Sequence, residues 1–386
     1  MNTPPSSDST LRVPSPGSLL FEGPEYRYEF LRRLLNHVDY SPLVLARRKP
    51  LTGSGPARTV LLRHVVMPPR SERRQRALEE ARLAVHLRHP HIARVHGLEE
   101  HQGRPFLVTE FMPGCFLDTA ESTSLERLGH PLSPAFACYI AAAVADALHY
   151  AWSLEGEDGQ SLHVVHRAVS PMAIRLSRKG QVKLTDFGVA WSRMTGRVHT
   201  APRVLRADVA YAAPEVVRFQ PPDGRADLYS LGMVLLEMLS GQYPLDPPDV
   251  ALPPDESLEV ARYNAHVRTE RTSWASVGAL ADRILRFGPE DVERMAQGVP
   301  GQLKRILHKA LRARPEDRYQ TGAELRDDLR AYLRLDGPFG PSEAATELAS
   351  ILRKNPSPDE TLAFPSEKGV VPTPEEMAGW KKKPLH

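Results

Sequence analysis

Two cysteines in 386 residues, Cys115 and Cys138, are too few for a disulfide framework, and their spacing matches no metal-ligand pattern. No stretch of 18 or more apolar residues occurs, and the opening MNTPPSSDSTLRVPSPGS lacks a basic start followed by an apolar run. Excess charge of one sign is missing too: 50 basic and 47 acidic residues leave a formal charge of +3. They are mixed along the chain, without the basic stripe that nucleic-acid binding requires. No period of 20 to 50 residues repeats, which excludes a solenoid or propeller. These absences lead us to expect a soluble, unexported, cytoplasmic chain with neither nucleic acid nor membrane as a partner. His86, His89, His91, His96 and His101 crowd one region, but no acidic or cysteine neighbours complete a metal site. They read as ordinary surface and loop histidines.

Hydrophobic residues make up 41% and charged residues 25%, ordinary globular usage, whereas 36 prolines concentrate in loops and ends. Residues 1–23 are rich in Pro, Ser and Gly and read as a disordered tail. Residues 336–386 form a C-terminal extension, flexible from about 355, with Leu362, Phe364 and Trp380 standing out in a polar segment. From Tyr26, short apolar runs such as PLVLA and TVLLRHVV flank the turn-like LTGSGPA, the pattern of an antiparallel hairpin. SERRQRALEEARLAVHL then adds one helix. After Gly114 helical patterns dominate in PAFACYIAAAVADALHYAW, ADLYSLGMVLLEMLSG and GQLKRILHKALRA. The expected fold class is α+β: a small β-rich lobe over 24–113 and a large α-helical lobe over 114–335. Within the latter, 245–300, with Tyr263 and Trp274, reads as an atypical insertion.

In order, the chain carries TVLLR, EARLAVHLRHPHI, FLVTEFMPG, VVHRAVSPMAIRL, VKLTDFGVA, YAAPE, RADLYSLG and RPEDRYQT. Together, over roughly Tyr26 to Leu335, these resemble bacterial Hanks-type (eukaryotic-like) Ser/Thr protein kinases. The specificity lies in eight matches that keep the family's order and approximate spacing. The resemblance implies a two-lobed protein kinase-like fold in which His166, Arg167 and Phe187 pack a regulatory core. It also implies that Glu215 and Arg318 form a buried ion pair, and that Asp227 hydrogen-bonds the backbone of the catalytic loop.

Phosphoryl transfer needs a cradle over the phosphates, a lysine on them, metal ligands and an acid to accept the hydroxyl proton. At the positions the resemblance assigns to the cradle stand Asn36, Val38, Asp39 and Ser41, with no glycine among them. Backbone N–H groups approach phosphate closely only where side chains are absent, and Asp39 adds repulsion. The lysine position is Arg63, with Glu80 as its implied partner; the planar guanidinium is not a conservative stand-in for an ammonium. The proton-accepting acid is replaced by Ala168, the following lysine by Ser170, and a metal-binding Asn by Ala173. Leu61 replaces a small residue above the expected purine, and Arg175 a leucine beneath it.

What the resemblance leaves for ATP and Mg2+ is Arg63, Glu80, the Glu110 and Met112 linker backbone behind Thr109, and Asp186 as the one metal-type ligand. Asp186 and Gly188 serve equally well to set the turn that places Phe187. No residue is assigned as catalytic. Thr195 and Thr200 lie where related kinases are often phosphorylated, near Arg193, Arg197 and Arg203. The leading expectation is a pseudokinase scaffold or regulator with a protein partner, an active kinase or another signalling protein. Two alternatives stay open: an unconventional active Ser/Thr kinase, and a nucleotide-gated switch without turnover.

Overall fold

The structure, a computed structural model of the chain, describes residues 14–35, 42–53, 55–65, 83–156, 159–187, 209–245, 277–335 and 337–352. It resolves into two compact units, Met1–His64 with Glu99–Phe111 and Leu362–His386, and Val65–Leu98 with Met112–Thr361.

The first unit is built on an antiparallel sheet in the order β1-β2-β3-β4-β6-β5. Its strands are β1 (Leu19–Glu22), β2 (Tyr26–Leu35), β3 (Pro42–Pro50), β4 (Arg58–His64), β6 (Arg104–Glu110) and, from Glu99 onward, β5 (Val95–His101). Period-2 alternation explains which face is covered. Val60 and Leu62 on β4 are buried, opposite Ala46 and Val44 on β3 and opposite Glu110 and Val108 on β6. The turn-like LTGSGPA does connect an antiparallel pair, β3 and β4. One expectation needs correcting: β1 lies inside the stretch read as a tail. LLFE is too short to show a pattern, but Phe21 is buried and stacks on Tyr28 with ring centres 4.7 Å apart. That aromatic contact outweighs the weak local signal.

The second unit is mainly helical. Among the described residues its helices include α1 (Leu117–Leu128), α2 (Pro134–Ser153), α3 (Pro214–Val217), α4 (Gly224–Ser240), α5 (Val277–Arg286), α6 (Pro289–Met295), α7 (Gly301–Ala310), α8 (Gly322–Leu333) and α9 (Pro341–Ile351), and residues 83–86 are helical as well. A small sheet joins β7 (Gly114–Phe116), β8 (Ile174–Ser177) and β9 (Val182–Leu184) in that order. α2 starts where Ser133 Oγ accepts the Phe136 N–H at 3.1 Å, an N-cap that satisfies one orphan donor. Among the described residues it alone is long and apolar enough to cross a membrane, and it is mostly buried inside the fold. Its alanines let α4 and α8 pack close to it. α5 and α6 fall within the stretch read as an insertion and bury Leu280, Ile284, Val292 and Met295. α9 belongs to the C-terminal extension. Its Glu347 accepts from the Ser133 backbone at 3.0 Å and hydroxyl at 2.6 Å, and its C-terminal Ile351 carbonyl accepts from Arg127. Residues 355 onward, with Leu362, Phe364 and Trp380, and also Tyr263 and Trp274, lie outside the described residues.

The implied ion pair is present. Arg318 Nη1 and Nη2 each donate to a Glu215 carboxylate oxygen at 2.7 Å, and both residues are buried. The remaining guanidinium hydrogens go to the carbonyls of Arg312, Ala313 and Arg225. A desolvated pair is tolerable only when its lone pairs and protons are satisfied this fully. Arg318→Met, which strands the Glu215 carboxylate, is expected to lower the unfolding free energy by about 3–5 kcal/mol. Chemical denaturation measures it, and a loss under about 1 kcal/mol would show that the pair does not hold this unit.

Candidate phosphotransfer site

The loop from His166 to Ala173 is held from below by a buried carboxylate. Asp227, in the first turn of α4, accepts the backbone N–H groups of His166 at 2.6 Å and Arg167 at 2.8 Å. These bonds let Arg167 sit at φ 63°, in the left-handed region that L-residues avoid. The buried His166 ring bonds the Thr185 carbonyl through Nε2 at 2.7 Å and meets the Ala168 N–H through Nδ1 at 3.2 Å. Nδ1 is therefore the acceptor and Nε2 carries the hydrogen. Burial pushes the His166 pKa down to about 4, so the ring is neutral. Phe187 packs edge-on against it with ring centres 4.5 Å apart. The roles expected of His166, Phe187 and Asp227 as a packed frame are thus visible in the geometry.

The frame continues past the positions where chemistry is needed. Ser170 and Pro171–Ala173 form a tight turn, and the Ala173 carbonyl accepts both the Thr185 N–H at 2.8 Å and its hydroxyl at 3.1 Å. Yet Ala168 offers only a methyl group, Ser170 a buried hydroxyl, and Ala173 a buried methyl group. Asp186 is exposed at φ 62°, its Oδ2 accepting from Thr185 Oγ1 at 3.0 Å. It alone, of the two expected metal-ligand positions, presents oxygen; a methyl at 173 can neither coordinate a hard cation nor orient its water. The residues of this loop do not fit the magnesium–nucleotide group that the resemblance implies.

In the first unit, Arg63 lies on β4 opposite Leu43, and Leu61 opposite Thr109 of β6. Glu110 closes β6 opposite Val60. Glu80, Asn36, Val38, Asp39, Ser41, Gly188, Arg193, Thr195, Arg197, Thr200 and Arg203 lie outside the described residues. The structure therefore does not bring the Arg63 and Glu80 pair into view.

At Met112, one of the two linker residues offered to a purine edge, the main-chain carbonyl accepts from Arg175 Nε at 3.1 Å. Arg175 Nη2 also reaches the Gly114 carbonyl at 3.3 Å, and its guanidinium lies over the Phe116 ring, 4.7 Å from the centre. Sequence reading marked Arg175 as a misfit but not its destination. The signal was there in Phe116, the residue facing it across β7 and β8.

Asp227 gives a pH test. Burial raises its carboxyl to about 7, while the two backbone N–H groups pull the other way without prevailing. The folded state then holds a proton that the unfolded state has lost from about pH 4 upward. The carboxyl's contribution is fully present below that range and falls as pH rises through 7. The destabilisation caused by Asp227→Asn should therefore be larger at about pH 4.5 than at about pH 7.5 in paired denaturant titrations. A cost that grows with pH would show that the N–H bonds, not burial, set this carboxyl.

Comparison with known proteins agrees with this frame. Residues 58–328 match the family described as the protein kinase domain. The chain is 32% identical over 258 residues to the tyrosine-protein kinase MasK of Myxococcus xanthus, covering 66% of this chain and 35% of MasK. It is 29% identical over 310 residues to the serine/threonine-protein kinase PknB of Mycolicibacterium smegmatis, covering 79% of this chain and 42% of that protein. It thus spans less than half the length of these curated relatives. The crystal structure of the Mycobacterium tuberculosis PknI kinase domain superposes with a TM-score of 0.52 at 22% identity, covering 83% of this chain and 99% of that one, a likeness of fold. The chain belongs to the protein kinase family and is related to the Hanks-type Ser/Thr kinases of bacteria.

Proposed function

We propose that this protein is a pseudokinase, a kinase fold that binds protein partners and does not transfer phosphate. One observation carries the reading: the 166–173 loop keeps the buried supports that fix its shape, yet presents Ala168, Ser170 and Ala173 where an acid, an ammonium and a metal ligand are needed. A positioned acid–base group is worth about 10²–10⁴-fold in rate, and metal coordination adds to that. An active kinase or another signalling protein in the cytoplasm is the partner class that a phosphotransfer-free member of this family suits.

A second reading, an unconventional active kinase, draws support from Asp186 and from the names of the relatives, which are protein kinases. Radiolabelled ATP separates the two. With Mg2+ or Mn2+, the full chain should label neither itself nor a generic basic protein substrate above an Asp186→Ala control. Incorporation that disappears in that control would make the protein an enzyme and end the pseudokinase reading.

A further inference from the structure

Arg175 on β8 stands directly opposite Phe116 on β7 and Lys183 on β9. Directly paired residues share a face, so the three side chains leave the same side of the small sheet. Two cations placed side by side repel, and they part: Lys183 Nζ reaches the Ile92 carbonyl at 3.4 Å, while the guanidinium turns to the Phe116 ring. There it donates to the Met112 and Gly114 carbonyls. Gly114 is fixed by the strand pairing itself, because a Cβ at that position would collide with the Leu176 carbonyl of β8 and only glycine fits.

The result is a flat, delocalised group resting on an apolar ring with its N–H bonds directed at the main-chain carbonyls of a strand linker. A planar nitrogen heterocycle would be recognised at that linker by the same chemistry. We propose that Arg175 is a built-in occupant of the purine seat: its guanidinium takes the place of the base and keeps adenine nucleotides out. The inference rests on the pseudokinase reading and deepens it by naming the group that closes the site. An occupant carried by the chain is always present at high effective concentration. A free nucleotide would have to break two hydrogen bonds and a cation–π contact and leave a half-buried charge unsatisfied.

Adenosine is the right probe, because without phosphates it is indifferent to Arg63, Asp186 and the missing glycines. Calorimetry on the full chain should find no saturable adenosine binding at millimolar concentration in the parent, and binding at least about tenfold tighter in Arg175→Leu. Arg175→Met, which keeps the aliphatic stem and loses the donors, is the second variant should the first unfold. A folded variant that binds adenosine no better than the parent overturns the proposal, as does a parent that already binds it. The two readings fail separately. Weak, equal adenosine binding by parent and variant without phosphate transfer removes the occupant alone, whereas adenosine binding gained only in a variant that also transfers phosphate upholds the occupant and removes the pseudokinase reading.

Discussion

One guanidinium with its donors fully engaged organises the helical unit. Arg318 binds both carboxylate oxygens of Glu215 in α3, the carbonyls of Arg312 and Ala313 beyond α7, and the carbonyl of Arg225 in the first turn of α4. That last bond matters for function, because Asp227 stands two residues further along the same turn. Once the start of α4 is fixed, the Asp227 carboxylate lies under the backbone of His166 and Arg167, and the loop above it takes its shape. The buried ion pair and the loop are thus successive links in one chain of constraints. Such a chain can persist under selection for a stable, specific surface without any selection for catalysis.

On the proposed reading, the frame and the chemistry come apart within a few residues of each other. Everything that holds the loop is main chain or deeply buried: the Asp227 bonds, the neutral His166, the Thr185 contacts to Ala173. Everything that would act on a phosphate is side-chain chemistry, and at 168, 170 and 173 the side chains are small, the last two buried. Removing a buried hydrogen-bonding partner destabilises a fold, which is why the supports of the loop are the costlier groups to lose.

Much of this was legible in the sequence, for identifiable reasons. The losses at Ala168, Ser170 and Ala173 could be read because they sit at fixed distances from His166 and Arg167, and the β3–β4 hairpin because apolar alternation flanks a Gly-rich turn. The Glu215–Arg318 pair and the Asp227 clamp could be inferred only through the family resemblance, since nothing local links residues 103 or 61 positions apart. β1 was missed because four residues give no period, and its stability comes from Phe21 meeting Tyr28 in the folded sheet. The aim of Arg175 was hidden as well. Which way a long cation turns depends on its cross-strand neighbours, and Phe116 and Lys183 become neighbours only when β7, β8 and β9 assemble.

The central claim, a retained kinase frame without its nucleotide chemistry, is tested most directly by calorimetric titration of the full chain with ATP in the presence and absence of Mg2+. The account predicts no saturable heat in either case up to millimolar ATP, and no thermal stabilisation, where a site filled at 100 times its Kd would add about 2.7 kcal/mol. Saturable binding that requires Mg2+ would contradict it, because Asp186 would then be holding a metal–nucleotide complex that this loop is argued not to fit.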